Sequence, residues 1–185
     1  MKVFGVGLSR SGTSSLASGL DVLGYRVRHF PSLVLLFGKL SIRRREFERY
    51  DAMADLPIAH FYKDLDRRFP GSKFIHTVRD VESWLDSCER FRRFEPDFKA
   101  KRRIMELRRQ FFGVTCFDRE RFRDVHARHT QEVRDYFRDR PDDLLELRIC
   151  EGEGFAELCP FLGKPQPGVG FPHKNAGAPR PTSVA

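Results

Sequence analysis

The chain has 185 residues, 34 Lys and Arg against 26 Asp and Glu, and a formal net charge of +8 at pH 7. A hydrophobic share of 40% with 32% charged residues suits one soluble globular domain able to bury a substantial core. The four cysteines, Cys88, Cys116, Cys150 and Cys159, make no C-x-x-C pair, which argues against a zinc framework. Cys150 and Cys159 would bridge only if the fold brought them together. The positive excess favours an anionic partner: a nucleotide, a nucleic acid, an acidic acceptor or an anionic membrane surface.

At the N-terminus, "MKVFGVG" meets a polar loop too soon for a signal-peptide core. The most apolar run, "LVLLFGKL" (33–40), is too short to span a bilayer. A cytoplasmic protein, or a soluble fragment, is the expectation, and no repeat is visible. "KVFGV" (2–6) predicts a buried strand. "TSSLASGLDVLG" (13–24) predicts a helix with Leu16, Leu20 and Leu23 on one face and Gly24 at its stop. "YRVRHF" (25–30) alternates as a second strand would. Residues 31–50 are ambiguous and end in the basic stretch 43–45.

"IAHFYKDLDRRF" (58–69) predicts a helix stopped by Pro70 and Gly71, and "KFIHTV" (73–78) a strand. "DVESWLDSCERF" (80–91) predicts a helix with Asp80 as its N-cap. A long amphipathic helix is expected over 117–140, a strand over 144–149 and a short helix over 154–162. The single domain is expected to span 1–175, with a disordered tail over 176–185. Strands alternating with helices predict the α/β class: a three-layer α/β/α sandwich around a mostly parallel sheet.

The loop "GVGLSRSGTSSL" (5–16) resembles a phosphate-binding loop without its lysine. Gly7 and Gly12 have the G-x-x-x-x-G spacing, Ser14 sits at the Ser/Thr position, and Thr13 replaces the lysine. An ordinary Gly/Ser turn is the alternative. Placed between a strand and a helix, however, successive backbone N–H groups form a concave anion site. Hydroxyls of Ser9, Ser11, Thr13, Ser14 and Ser15 and the guanidinium of Arg10 add donors. A second constellation is Arg79, at the end of a strand, with Ser87 eight residues later in the next helix. Read alone, Arg79 is a surface ion-pair partner and Ser87 a solvated helix residue. Beside the loop they become a second anion site, because ligands collect beyond the carboxyl ends of parallel strands.

"LSRSGTSSL" resembles the 5′-phosphosulfate loop of sulfotransferases, and "TVRDVESWLDS" their 3′-phosphate motif of Arg followed by Ser eight positions on. The chain from 1 to about 175 resembles a group of compact sulfotransferase-like proteins. The other shared segments are "YDAMADLPIAHFYKDLDRRFPGSKFI", "LLELRICEGEGFAELCPFLG" and "FPHKN". The resemblance implies a P-loop NTPase-like fold and the donor 3′-phosphoadenosine 5′-phosphosulfate (PAPS), with 3′-phosphoadenosine 5′-phosphate (PAP) as product. A sulfuryl donor needs no bridging Mg²⁺, so no metal is expected. The resemblance assigns the backbone of Ser11, Gly12, Thr13 and Ser14 to the 5′-phosphate. Arg79 and Ser87 are assigned to the 3′-phosphate, and Arg10 to charge on the bridging oxygen. Arg10 stands where most cytosolic relatives carry lysine.

The resemblance implies a base for the acceptor, a His or a Glu in the wider family, placed between the two motifs. Asp55 and His60 are the candidates, and His29 is a weaker third. Asp55 reads equally as a helix cap before Pro57, and His60 as a part-buried helix residue. His76 falls in a strand, and His126 and His129 read as helix-face residues. "GVGFPHKNAG" (168–177) either folds Lys174 over the nucleotide or docks Phe171 into the core. Residues 92–109 hold eight Lys/Arg (Arg92, Arg93, Lys99, Lys101, Arg102, Arg103, Arg108, Arg109) against Glu95, Asp97 and Glu106. That run reads as a solvated helix face, a collector for an anionic acceptor or membrane surface, or a lid. No nucleic-acid reader motif is present. The function expected is sulfuryl transfer to a hydroxyl or amine acceptor, which the basic balance allows to be anionic. The alternatives are an inactive sulfotransferase-like nucleotide-binding module and a degenerate P-loop kinase or NTPase.

Overall fold

In chain order the elements are β1 (Val3–Gly5), α1 (Thr13–Val22), β2 (Val27–His29), β3 (Leu33–Leu36), β4 (Lys39–Ile42), α2 (Arg44–Arg49), β5 (Ala52–Ala54), α3 (Leu56–Arg68), β6 (Lys73–Thr77), α4 (Val81–Glu89), α5 (Arg102–Phe112), α6 (Arg119–Tyr136), β7 (Leu144–Leu147) and α7 (Phe155–Leu162). They come from a computed structural model, which describes residues 1–95 and 100–174. Asp97 and Lys99 of the basic segment, Asn175 and the expected tail lie outside the described residues.

Five strands form one sheet in the order β2-β5-β1-β6-β7, and every pairing in it is parallel. The two-residue period of a strand divides its side chains between two apolar layers. Val3, Ala52, Ala54 and Ile75 face Leu16 and Leu20 of α1 and Leu158 of α7. Phe4, Met53 and Phe74 face Ile58 of α3, Leu85 of α4 and Val133 of α6. Burial on both faces explains why these strands read as continuous apolar runs. The architecture is the expected three-layer α/β/α sandwich. Gly5 lets α1 approach closely, since a Cβ there would lie 2.8 Å from both Ala54 Cβ and Leu16 Cδ2.

Helix ends follow local chemistry. Asp80 caps α4 by accepting from Ser83 N–H at 2.9 Å, and Asp118 caps α6 by accepting from Arg121 N–H at 2.9 Å. Two stretches, holding four elements, were not visible in the sequence. Ala52–Ala54 is a central strand with no β-branched residue to signal it. Residues 31–50 fold as an antiparallel hairpin, β3 with β4, followed by α2. Its turn residues Phe37 and Gly38 both have positive φ, 48° and 76°, the pattern of a two-residue hairpin turn. Cys150 and Cys159 are both free: Cys150 is exposed and Cys159 is buried.

The topology fixes where a ligand can sit. From β1 the chain crosses to β2 on one side of the sheet, and β6 leads to β7 on the other. A crevice opens beyond the carboxyl ends of β1 and β6, where the order reverses.

Candidate active site

The loop from β1 to α1 turns back sharply over its own strand. A Cβ at Gly7 would lie 1.8 Å from Thr77 Oγ1, so only glycine fits. Gly12 is the N-cap of α1 at φ 97°, and it offers no side chain to the first turn. The N–H groups of Thr13, Ser14 and Ser15 therefore start the helix without a side-chain cap, at its positive end. Ser11 braces the loop from inside: its N–H and Oγ–H donate to Leu8 O at 3.1 and 2.7 Å, and its Oγ lies 2.7 Å from Thr77 Oγ1. Trp84 Nε1–H adds a bond to Ser9 O at 2.9 Å.

Two arginines stand over this loop. Arg79 Nη1 donates to Arg10 O at 3.0 Å, while its Nε and Nη2 donate to Ser83 Oγ at 3.0 and 2.8 Å. Arg10 Nε donates to Ser87 Oγ at 3.0 Å, and its guanidinium lies 4.8 Å from the centre of the Phe91 ring. Burial, with Arg79 beside it, holds Arg10 below the usual arginine range. Arg79 and Ser87 therefore do not meet. Each fastens a different part of Arg10, and Ser83, one turn before Ser87, is the serine in Arg79's reach. Ser83 carried no sequence signal of its own.

A cleft of about 1030 Å³ opens here, lined by Arg10, Gly12, Thr13, Ser14 and Arg79 on the loop side and by His29 and Asp55 opposite. Ser9 contributes to the wall as well, whereas Ser11 and Ser87 are buried behind it. Asp55 is 6% exposed and has φ 88°. Its Oδ1 accepts from Leu56 N–H at 2.7 Å and from the Ser9 hydroxyl, and its Oδ2 lies 3.1 Å from His29 Nε2. Thr13 Oγ1 and Ser14 Oγ lie 3.1 and 3.3 Å from the same nitrogen. Asp55 is thus both the cap of α3 and the partner of a histidine that touches the loop. Arg10, Phe30 and Asp55 are three of the four described non-glycine residues with positive φ, and all three line this cleft. Backbone strain of that kind collects at functional sites.

The C-terminal segment closes one side. Phe171 packs on Phe155 with ring centres 4.9 Å apart, and the bare backbones of Gly19 and Gly154 make room for it. The chain then places Lys174 in the cleft wall, where its N–H donates to Ser15 Oγ at 2.9 Å.

A family model for the sulfotransferase domain matches residues 2–179. The chain belongs to this family. Ava biosynthesis cluster protein M of Aspergillus versicolor is similar at 26% identity over 218 residues, covering 94% of this chain and 80% of the relative. No helix among the described residues of this sulfotransferase domain is long and apolar enough to cross a membrane.

His60 is not brought to the cleft. It lines a separate hollow of about 420 Å³ with Lys63, Arg67 and Gln110, and its ring packs edge-on against Phe61 and Phe111. Its helical spacing from Asp55 turns it away along α3. Two residues read as helix-face histidines prove structural to the site. His129 Nε2 bonds Val6 O at 2.8 Å, and His126 Nε2 bonds Arg79 O at 3.2 Å. From α6 the pair pins the backbone where β1 and β6 end. The three-residue spacing puts both on one helix face, but only the packing shows what that face meets.

Burial, with His76 beside it, lowers His129 to about 3, and burial also lowers His126 and His60. In the unfolded chain these groups titrate near 6.5, so below that pH the unfolded chain binds more protons than the folded one. Stability is full above about pH 6.5 and is lost as pH falls, by up to about 1.4 kcal/mol per pH unit for each histidine held neutral. Glu146, held near 2 by His76, whose Nδ1 lies 3.5 Å away, and by the hydrogen bonds it accepts from Arg134, adds a loss only below its ordinary value of 4.5. Urea unfolding at pH 7, 6 and 5 is expected to show a stepwise loss. A flat profile over that range would mean that His129 protonates inside the fold.

Proposed function

We propose that the protein transfers a sulfuryl group from PAPS to a hydroxyl or amine acceptor, releasing PAP. The observation that carries this reading is a helix N-terminus with a bare glycine cap and no lysine, overlaid by Arg10 and Arg79. Such a site suits a phosphosulfate: the N–H groups of Thr13, Ser14 and Ser15 take the 5′-phosphate oxygens. Arg79, swinging from Ser83, and Lys174 take the 3′-phosphate, with charge and fork geometry to suit it. Ser87 acts indirectly, by aiming Arg10.

In the reaction the acceptor oxygen or nitrogen bonds to sulfur as the bond from sulfur to the 5′-phosphate oxygen breaks. Arg10 meets the charge that collects on that oxygen. The His29–Asp55 pair receives the acceptor's proton. Asp55 Oδ1 is already occupied by two donors, so Asp55 acts through His29 or through Oδ2. The absence of a lysine at Thr13 removes the usual γ-phosphate contact, and sulfuryl transfer requires no bridging metal.

PAP is expected to raise the melting temperature without Mg²⁺, and ATP to do so far less, in a thermal-shift titration. The ligand contribution grows as RT ln(1 + [L]/Kd), about 2.7 kcal/mol at a hundredfold excess over Kd. Equal stabilisation by ATP that depends on Mg²⁺ would favour a kinase or NTPase instead.

A further inference from the structure

Among the described residues of the cleft, the mechanism leaves one buried cation unused. Arg108 of α5 is 5% exposed and forms part of the cleft wall. A guanidinium has five N–H donors. The described partners of Arg108 are Thr115 O, which takes Nη1–H at 3.1 Å, and the Phe94 ring, whose centre lies 5.0 Å from its central carbon. No described carboxylate lies within ion-pair distance of it. Its charged neighbour in the wall is another cation, Arg93, and Lys101 stands at the rim. Burial and Arg93 both push Arg108 below the usual arginine range. Among the described lining residues Asp55 is the sole carboxylate, and His29 and Ser9 already engage it.

Arg108 is not on the donor side. Arg10 and Arg79 rise from the loop and from the end of β6, whereas α5 packs against the β3–β4 hairpin. Between Arg10 and Arg108 stand two rings, Phe91 and Phe94, with centres 5.3 Å apart. Apolar surface from Phe30, Leu56 and Ile104 continues the wall past Asp55. A buried cation without a counter-charge is costly unless a ligand supplies one.

We infer that the acceptor is an apolar hydroxyl compound carrying a carboxylate or similar oxyanion, which Arg108 holds while the hydroxyl faces the His29–Asp55 pair. This rests on the sulfotransferase reading above for the direction of transfer, but the anion site stands on its own geometry. The rings of Phe91 and Phe94 suit a flat or apolar body, and the planar fork of Arg108 suits two carboxylate oxygens. The basic segment thus contributes a buried anion anchor as well as a solvated face.

The test uses calorimetry on the PAP-loaded and PAP-free protein, with 4-hydroxyphenylacetate and its methyl ester as probes. Wild type is expected to bind the acid about 10-fold or more tightly than the ester. Arg108→Gln is expected to abolish that preference, and Arg108→Lys, which keeps charge without the fork, to retain part of it. PAP affinity should stay within about twofold of wild type in both variants. The wild-type comparison and Arg108→Lys keep the test sound should Arg108→Gln fail to fold. Equal binding of acid and ester, or binding of neither, overturns the inference. Loss of PAP affinity in Arg108→Gln with the acid preference intact overturns it too, and makes Arg108 a donor ligand. Failure of wild type to bind PAP defeats the sulfotransferase reading instead, and the PAP-free arm still reads the anion site.

Discussion

Asp55→Asn is expected to lower sulfuryl transfer by about 100-fold or more while PAP affinity and melting temperature stay nearly unchanged. Asparagine keeps the shape of the side chain. It caps helices as well as aspartate does, so the Leu56 N–H bond at 2.7 Å survives. The negative charge that faces His29 Nε2 at 3.1 Å does not survive. Without it, the histidine loses the carboxylate that orients its ring. His29→Asn is expected to cost a similar factor, and the double variant little more than either single one, because the two act as a unit. His60→Asn, in the separate hollow of α3 and α5, should remain within a few-fold of wild type. Labelled PAPS with a panel of phenols, sugars and amines supplies the assay. A melting temperature that drops sharply in Asp55→Asn would assign the residue to the fold. Full activity in both Asp55→Asn and His29→Asn would remove the pair from the chemistry.

Arg79→Ala is expected to weaken PAP binding by about 1.5–3 kcal/mol, roughly 10- to 150-fold, the scale of a charge-assisted hydrogen bond. Adenosine 5′-phosphosulfate lacks the 3′-phosphate and should lose less. It should still lose something, because Arg79 also donates to Arg10 O at 3.0 Å and steadies the loop. Ser83→Ala, which frees Arg79 from its present partner, separates these two contributions: it should leave PAP affinity the same or tighter. Calorimetry with both nucleotides reads the difference. Equal losses for both in Arg79→Ala would make Arg79 a brace for the loop and nothing more.

Much of this was written locally. The loop of 5–16 declared itself because glycines at 7 and 12 and a run of hydroxyls admit few other backbones. Gly7 has no room for a methyl group, and Gly12 sits at φ 97°. Arg79 was legible from its place at a strand end, and the cap Asp80 obeys nearest-neighbour chemistry. Three residues could not be ranked from their neighbours in the chain. Asp55 and His29 lie 26 positions apart, and their pairing exists only because β2 and β5 run side by side, with His29 in register with Ala54. Arg108 sits in a basic run of which Arg92, Arg93, Lys101, Arg102 and Arg109 are exposed, and spacing does not reveal which member turns inward.

Short-range chemistry along the chain set the alternation of strands and helices, the glycine-built loop after β1 and the positive balance. These rest on side-chain periodicity, on glycine's conformational range and on charge, all of which act within a few residues. Tertiary structure alone decided that Arg10 takes Ser87 while Arg79 takes Ser83. It also decided that His29 meets Asp55, that His60 turns away, and that two helix histidines hold the strand ends. Each of those outcomes depends on which parallel strands become neighbours and which helix covers them. That choice is set by the packing of two apolar layers across the whole sheet, and no short stretch of chain contains it.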